Sequence, residues 1–259
     1  MNQPITIIGG GRFGSYFKRL LTDVGEDVAT IDLGSKQPEF DRLAASKIVV
    51  FAVPIRYFEN ALNTFSPHVA EGATVMDVCS VKVWPAFLLS KAFDGRLVSA
   101  VATHPLFGPQ SAPKSAAGQR VAYSPIRTVE GEGFHKILPL FEKLQLDVIL
   151  CDPHDHDLQM ARSQVLNHFL GRAAELFGMS QVVMSTKTHT LFMDIVKIIS
   201  GNSYDLFEDM NVFNPYAHLA RTEFMDALHE VDKKLRHLEI ENPAGRRVME
   251  LARAPLPKP

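Results

Sequence analysis

The sequence predicts an α/β protein in which a doubly wound parallel sheet is followed by an all-helical second half. Three observations predict it. Continuous Val, Ile and Ala runs recur through the first half, as strands buried on both faces require. Segments with apolar residues at helical spacing separate these runs, giving the βα alternation of a parallel sheet. From His154 onward the strand pattern fades and helical periodicity remains.

In chain order, ITII is the first strand; it runs into GGGRFG and then the amphipathic segment FGSYFKRLLTDVG. DVATID is the second strand, and LGSKQPEFDRLAASK leaves room only for a short helix before KIVVFAVP. YFENALNTFSPHV, ATVMDVCS, VWPAFLLSKAF and LVSAVATHP continue the alternation. After RVAYSPI, the segments GEGFHKILPLFEKLQ and DVILCD add one more helix and strand. Four helical stretches follow: DLQMARSQVLNHFLGRAAELFG, VVMSTKTHTLFMDIVKIIS, SYDLFEDMNVF and a run from Tyr216 to about Leu238. The expected domains are therefore residues 1–152 and 153–254, with a disordered Pro-rich tail at 255–259.

With 46% hydrophobic residues, the 259-residue chain can bury a substantial core. Its net charge of −2 and scattered basic residues argue against nucleic acid as a partner. No apolar stretch reaches the roughly 18 to 20 residues of a membrane span. Two cysteines, and an N-terminus that goes directly into a strand, point to a reduced cytoplasmic protein. So many apolar faces in the helical half favour a homodimer.

GGGRFG places Gly9, Gly11 and Gly14 in G-x-G-x-x-G spacing between a strand and a helix. The first glycine permits a tight turn, the second lets backbone approach a pyrophosphate, and the third lets helix pack on strand. Arg12 and Phe13 complete this cofactor loop, and Val53 ends the third strand beside it. Asp32 closes the second strand where a carboxylate can bind ribose hydroxyls and repel a 2′-phosphate, which favours NAD over NADP. Ser35 and Lys36 are nearby groups that could accept such a phosphate. The first half is thus a Rossmann-type domain.

Ser80 in DVCSVK and His104 in THPLFGP follow successive strands, at the end of the sheet where ligands bind. Ser80 fits either a ligand contact or the cap of the following helix. His104 fits either a base taking a hydroxyl proton during hydride transfer or a structural histidine. CDPHDHD contains metal-ligating residue types, but it is read as a helix start, with acids capping the first turn. Gln164 and His168 are four apart and share a helix face, either lining a cleft or forming a solvated stripe.

Taken together, GGGRFG, DVCSVK, THPLFGP, SQVLNHFLGR and ISGNSYDLF resemble the prephenate/arogenate dehydrogenase family, and within it the plant-type branch. The resemblance implies NAD-dependent oxidative decarboxylation of a cyclohexadienol; the helical C-terminal half, on its apolar faces, is the expected dimerisation domain. The resemblance also implies His104 as the general base on the C4 hydroxyl and Ser80 as its neighbour, with Gln164, His168 and Thr186 at the substrate. Asn202 stands where the arogenate-selective branch has Asp, and Ile199 where that branch has Thr. An Asp suits arogenate's ammonium group, whereas prephenate carries a keto group there, so prephenate is the expected substrate. No clear arginine match for the substrate's side-chain carboxylate is visible; Arg162 and Lys187 are the candidates. Alternatives are arogenate, 4-amino-4-deoxyprephenate, a β-hydroxyacid dehydrogenase, and a non-catalytic NAD-binding regulator.

Overall fold

The computed structural model describes residues 4–34, 36–129 and 132–253. The expected disordered tail and Ser35 lie outside the described residues. Seven strands form one sheet in the order β2-β1-β3-β4-β5-β6-β7. They are β1 Ile5–Ile8, β2 Val28–Ile31, β3 Ile48–Phe51, β4 Thr74–Asp77, β5 Ser99–Pro105, β6 Arg120–Arg127 and β7 Asp147–Leu150.

The first five strands are parallel, each reached through a helix: α1 (Arg12–Asp23), α2 (Gln37–Ala45), α3 (Phe58–Phe65) and α4 (Val83–Ala92). Successive side chains point to opposite faces, and here both faces are packed. Ile5, Ile7, Ile48 and Val50 join Phe17, Tyr123 and Phe141 on one side. Ile8, Val49 and Phe51 join Phe58, Phe65 and Phe93 on the other. Two buried faces explain why these strands read as unbroken apolar runs.

The sheet departs from the expected all-parallel form at β6, which runs antiparallel to β5. LFGPQSAPKSAAGQ, between these strands, contains no helix, and without a crossover element the chain returns in the opposite direction. α5 (Glu132–Lys143) then carries the chain to β7, which is parallel to β6.

A helical run follows: α6 (Pro153–Met160), a π-helical turn at Ala161–Val165, and α7 (Leu166–Phe177). α8 (Lys187–Ser200), α9 (Tyr204–Val212), α10 (Ala217–Glu241) and α11 (Pro243–Arg253) complete the described chain. α8 starts later than the apolar run VVMSTK suggests, because Thr186 is its N-cap and accepts the His189 N–H at 3.2 Å. The last strand ends at Leu150 and α6 begins at Pro153. Contacts divide the chain elsewhere, into Met1–Ala217 and His218–Pro259.

Candidate active site

Ile8, Ile31, Phe51, Asp77 and Ala102 form one row across the five parallel strands. Residues just beyond that row share the carboxyl end of the sheet: Gly9 to Gly14, Asp32, Val53, Ser80 and His104. Register alone thus gathers the predicted cofactor and catalytic residues at the end where α/β proteins bind ligands.

The glycine turn is shaped to receive a dinucleotide. Gly9 has φ +109°, and a Cβ there would lie 2.5 Å from the Ala52 carbonyl oxygen and 3.0 Å from Val53 Cγ1. A Cβ at Gly14 would lie 1.8 Å from the Gly9 oxygen, so only glycine lets α1 pack this closely. A Cβ at Gly11 would meet nothing within 4 Å, which leaves backbone open to a phosphate. No side chain caps α1 and its first turn holds no acid, so its N–H groups and positive dipole are available to an anion. Asp32 Oδ1 accepts the Gly10 N–H at 2.9 Å, which places the carboxylate against the turn. Phe13 packs into the core, stacked on Phe17 with ring centroids 5.8 Å apart.

His104 is 4% exposed near the end of β5, and its Nδ1 lies 3.0 Å from His156 Nε2 on α6. His156 Nδ1 lies 2.8 Å from Asp157 Oδ1. Asp157 also accepts the N–H groups of Lys82 (2.7 Å) and Val83 (2.9 Å), so a carboxylate from α6 caps α4. The N-cap residue of α4 is Lys82, not Ser80 as the capping alternative expected. Burial, then the His156 ring and the Lys82 cation, hold the His104 pKa well below the usual histidine value. Each of these effects favours the neutral imidazole, the form a base requires.

The Lys82 side chain is fully buried and donates to the Asp77 carboxylate and the Thr103 carbonyl. Asp77 also accepts N–H groups from Cys79 (2.8 Å) and Thr103 (3.1 Å), while Thr103 Oγ1 donates to the Asp77 carbonyl at 2.5 Å. A buried charge is tolerable only when paired and hydrogen-bonded, as here. The network pins the end of β4, and with it the Ser80 turn, to the residue preceding His104.

The helical run after α6 carries Gln164, His168 and Arg172 at four-residue intervals. Gln164 Oε1, His168 Nδ1 and Arg172 Nε are buried without hydrogen-bond partners. Such atoms are costly in a finished core and are suited to a polar ligand. Arg172 also donates to the Asn202 carbonyl and to Glu175, both at 2.8 Å. Asn202 Nδ2 donates to the Ile198 carbonyl at 3.3 Å, at the end of α8. Ile199 is buried against Gly171, where a Cβ would lie 2.5 Å from Ile199 Cδ1, so Ile199 fills the contact between α7 and α8. Thr186 is exposed at the far end of α8, about 20 Å from Ile199 by helical rise, so one chain does not bring these two together. Arg162 and Lys187 are likewise exposed.

Arg56, in the turn after β3, ties this region to the cofactor side. Its guanidinium donates to Asp209 (2.7 Å), Asp205 (2.9 Å) and Glu208 (3.1 Å) on α9. Sequence reasoning singled out neither Arg56 nor these acids. Their only signal was three carboxylates on nearby turns of one helix.

Residues 21–157 match the family model described as prephenate dehydrogenase, nucleotide-binding domain. The chain belongs to this family. Residues 174–245 match a second model, described as TYRAAT1-like, C-terminal domain. Among curated relatives, arogenate dehydrogenase 2, chloroplastic, of Arabidopsis thaliana is 28% identical over 252 residues, covering 89% of this chain and 69% of the relative. A probable arogenate/prephenate dehydrogenase of Methanocaldococcus jannaschii is 29% identical over 266 residues, covering 93% of this chain but only 58% of the relative. The fold is shared with prephenate dehydrogenase from A. aeolicus in complex with hydroxyphenyl propionate and NAD+, with a TM-score of 0.74, 20% identity, and coverage of 97% of this chain and 96% of that one. Synechocystis arogenate dehydrogenase gives a TM-score of 0.66 at 19% identity, with coverage of 96% and 97%.

Proposed function

We propose that this family member is an NAD-dependent prephenate dehydrogenase that makes 4-hydroxyphenylpyruvate, with His104 as the general base. The observation that carries the reading is the buried His104 imidazole near the carboxyl end of β5, the strand paired with β4, with Nδ1 engaged by His156 at 3.0 Å. A bound nicotinamide supplies the hydride acceptor. Gly9, Gly11, Gly14 and the start of α1 hold the pyrophosphate, and Asp32 holds the ribose hydroxyls and disfavours a 2′-phosphate. As the substrate's C4 loses hydride, His104 Nε2 takes the C4 hydroxyl proton. The ring carboxylate leaves as carbon dioxide, its electron pair completes the aromatic ring, and His104 returns the proton to the phenolate oxygen. Ser80 orients that hydroxyl.

On the substrate side, Gln164 and His168 line the pocket, and Arg172 is the cation nearest in sequence on their helix face. Asn202 offers an uncharged partner for a keto group, which favours prephenate. A second reading, arogenate, is favoured by the likeness to the Arabidopsis arogenate dehydrogenase. The same proposal includes a homodimer and a reduced, cytoplasmic setting. It is supported by exposed apolar residues on α8 and α10 and by two free cysteines, Cys79 and Cys151. Among the described residues, no helix is long and apolar enough to cross a membrane.

The test is reduced-cofactor formation with prephenate, arogenate and 4-amino-4-deoxyprephenate, each with NAD and with NADP. Prephenate with NAD is expected to give the highest kcat/KM. A preference for arogenate overturns the substrate assignment. Cofactor binding without turnover of any of the three would favour a non-catalytic role.

A further inference from the structure

His156 and Asp157 belong to a stretch that by sequence only begins a helix, yet both are buried behind His104, at 3% and 0% exposure. Hydrogen-bonding rules assign the protons along this row. An ionised carboxylate only accepts, so the 2.8 Å bond to Asp157 requires the proton on His156 Nδ1. Neutral His156 then presents a bare Nε2. The 3.0 Å bond to His104 closes only if His104 Nδ1 carries its own proton. That leaves His104 Nε2 bare, and it has no partner among the described residues.

We propose that His156 and Asp157 are positioning residues that hold His104 as the Nδ1–H tautomer, with Nε2 turned to the substrate as the base. The proposal rests on the reading of His104 as the general base. A histidine held in the other tautomer would present an N–H where a lone pair is needed, and in serine proteases the wrong tautomer costs about 10⁴ in kcat. When His104 takes the substrate proton, its Nδ1–H bond to His156 strengthens, and Asp157 compensates the positive charge through His156.

The other groups facing His156 do not compete for this role. His104 approaches from β5. Lys82, at the start of α4, is committed to Asp77 and the Thr103 carbonyl, and Asp77, at the end of β4, is committed to Lys82 and two N–H groups. Burial outweighs the Asp157 hydrogen bond and lowers the His156 pKa, consistent with a neutral ring. Asp157 has a second duty as the cap of α4, so its removal would perturb folding whatever its effect on His104. The test therefore falls on His156.

Two variants separate orientation from simple packing. His156→Phe keeps a ring in the core and removes the acceptor. His156→Gln can place an amide oxygen near the former Nε2 and accept the His104 N–H again. Imidazole ¹⁵N spectra of the protein without cofactor should show His104 protonated at Nδ1 in wild type and in H156Q, but not uniformly so in H156F. In turnover, H156F should lose about 10²- to 10⁴-fold in kcat, with substrate KM within about threefold, and H156Q should recover at least about tenfold of that loss.

A wild-type His104 protonated at Nε2 overturns the proposal. Near-normal kcat in H156F, or equal impairment of both variants, overturns it as well. If H156F does not fold, the wild-type and H156Q spectra still decide. If wild type turns over no cyclohexadienol, the functional reading fails, while the spectra continue to test the tautomer.

Discussion

Arg12, the first residue of α1, donates through Nη1 to the Gly201 carbonyl at 3.3 Å. Gln110 Nε2 reaches the same oxygen at 2.9 Å, and Arg172 holds the next carbonyl, that of Asn202. The residue expected to face the cofactor is thus bonded to the turn expected to face the substrate. Arg12→Ala is expected to raise KM for both NAD and prephenate several-fold, with kcat less affected. Steady-state kinetics with each ligand varied in turn checks this, and a change confined to NAD would leave the Gly201 bond without functional weight.

Replacing the base should remove the chemical step and spare binding. His104→Asn is expected to lower kcat about 10²- to 10⁴-fold while NAD affinity, measured by calorimetry, stays nearly constant. Sequence alone suggests an acid limb near the free histidine value of about 6.5. Burial, His156 and Lys82 move it well below that, so wild-type kcat/KM should remain level as pH falls through 6.5.

Asn202→Asp tests the substrate assignment, and the structure adds a cost to it. Asn202 donates to the Ile198 carbonyl at the C-terminal end of α8. An aspartate cannot donate there, and its charge would face the negative end of the helix, costing about 0.3–1 kcal/mol. A Tm lowered by a few degrees at most is expected, together with a shift of kcat/KM toward arogenate. An unmoved substrate ratio in a folded variant would count against Asn202 as the selecting residue.

Burial leads the causes that lower the pKa of His104, His156 and His168. Each binds a proton more readily in the unfolded chain, so stability holds above the unfolded value of about 6.5 and falls as pH drops from there through the lower folded values. The loss amounts to at most about 1.4 kcal/mol per pH unit for each histidine. Thermal unfolding from pH 8 to pH 5 should show a plateau followed by a decline, and His168→Gln should make that decline shallower.

The second compact unit exposes Leu228, Val231, Leu235 and Leu238 along α10. Their spacing of three, four and three residues is that of a coiled-coil seam. In sedimentation, wild type is expected to be a dimer and Leu235→Glu to shift toward monomer at micromolar concentration. A wild-type monomer would remove the homodimer from the proposed function.

The parallel half of the sheet was legible because its signal is local: β1, β3, β4 and β5 bury both faces, and each connecting helix keeps its period. Reversal at β6 was not, because it depends on a helix missing from the connection between Pro105 and Arg120. Gly9, Gly14 and Asp32 could be placed from spacing, since turn geometry and close packing limit what those positions accept. Lys82 and Asp77 lay within a noted motif without an assigned role. Their charges sit in an apolar neighbourhood, and only the fold shows that each neutralises the other.

What the sequence by itself determined was the order of strands and helices, the glycine turn, and the arrival of Ser80 and His104 at one end of the sheet. These follow from periodicity and from the register of neighbouring parallel strands, which short-range patterns encode. Only the tertiary structure decided that His156 and Asp157 stand behind His104, and that Arg12 reaches Gly201 across 189 positions of chain. A hydrogen bond is set by distance and direction in space, and nothing in the sequence near His104 records which residue of a later helix will face it.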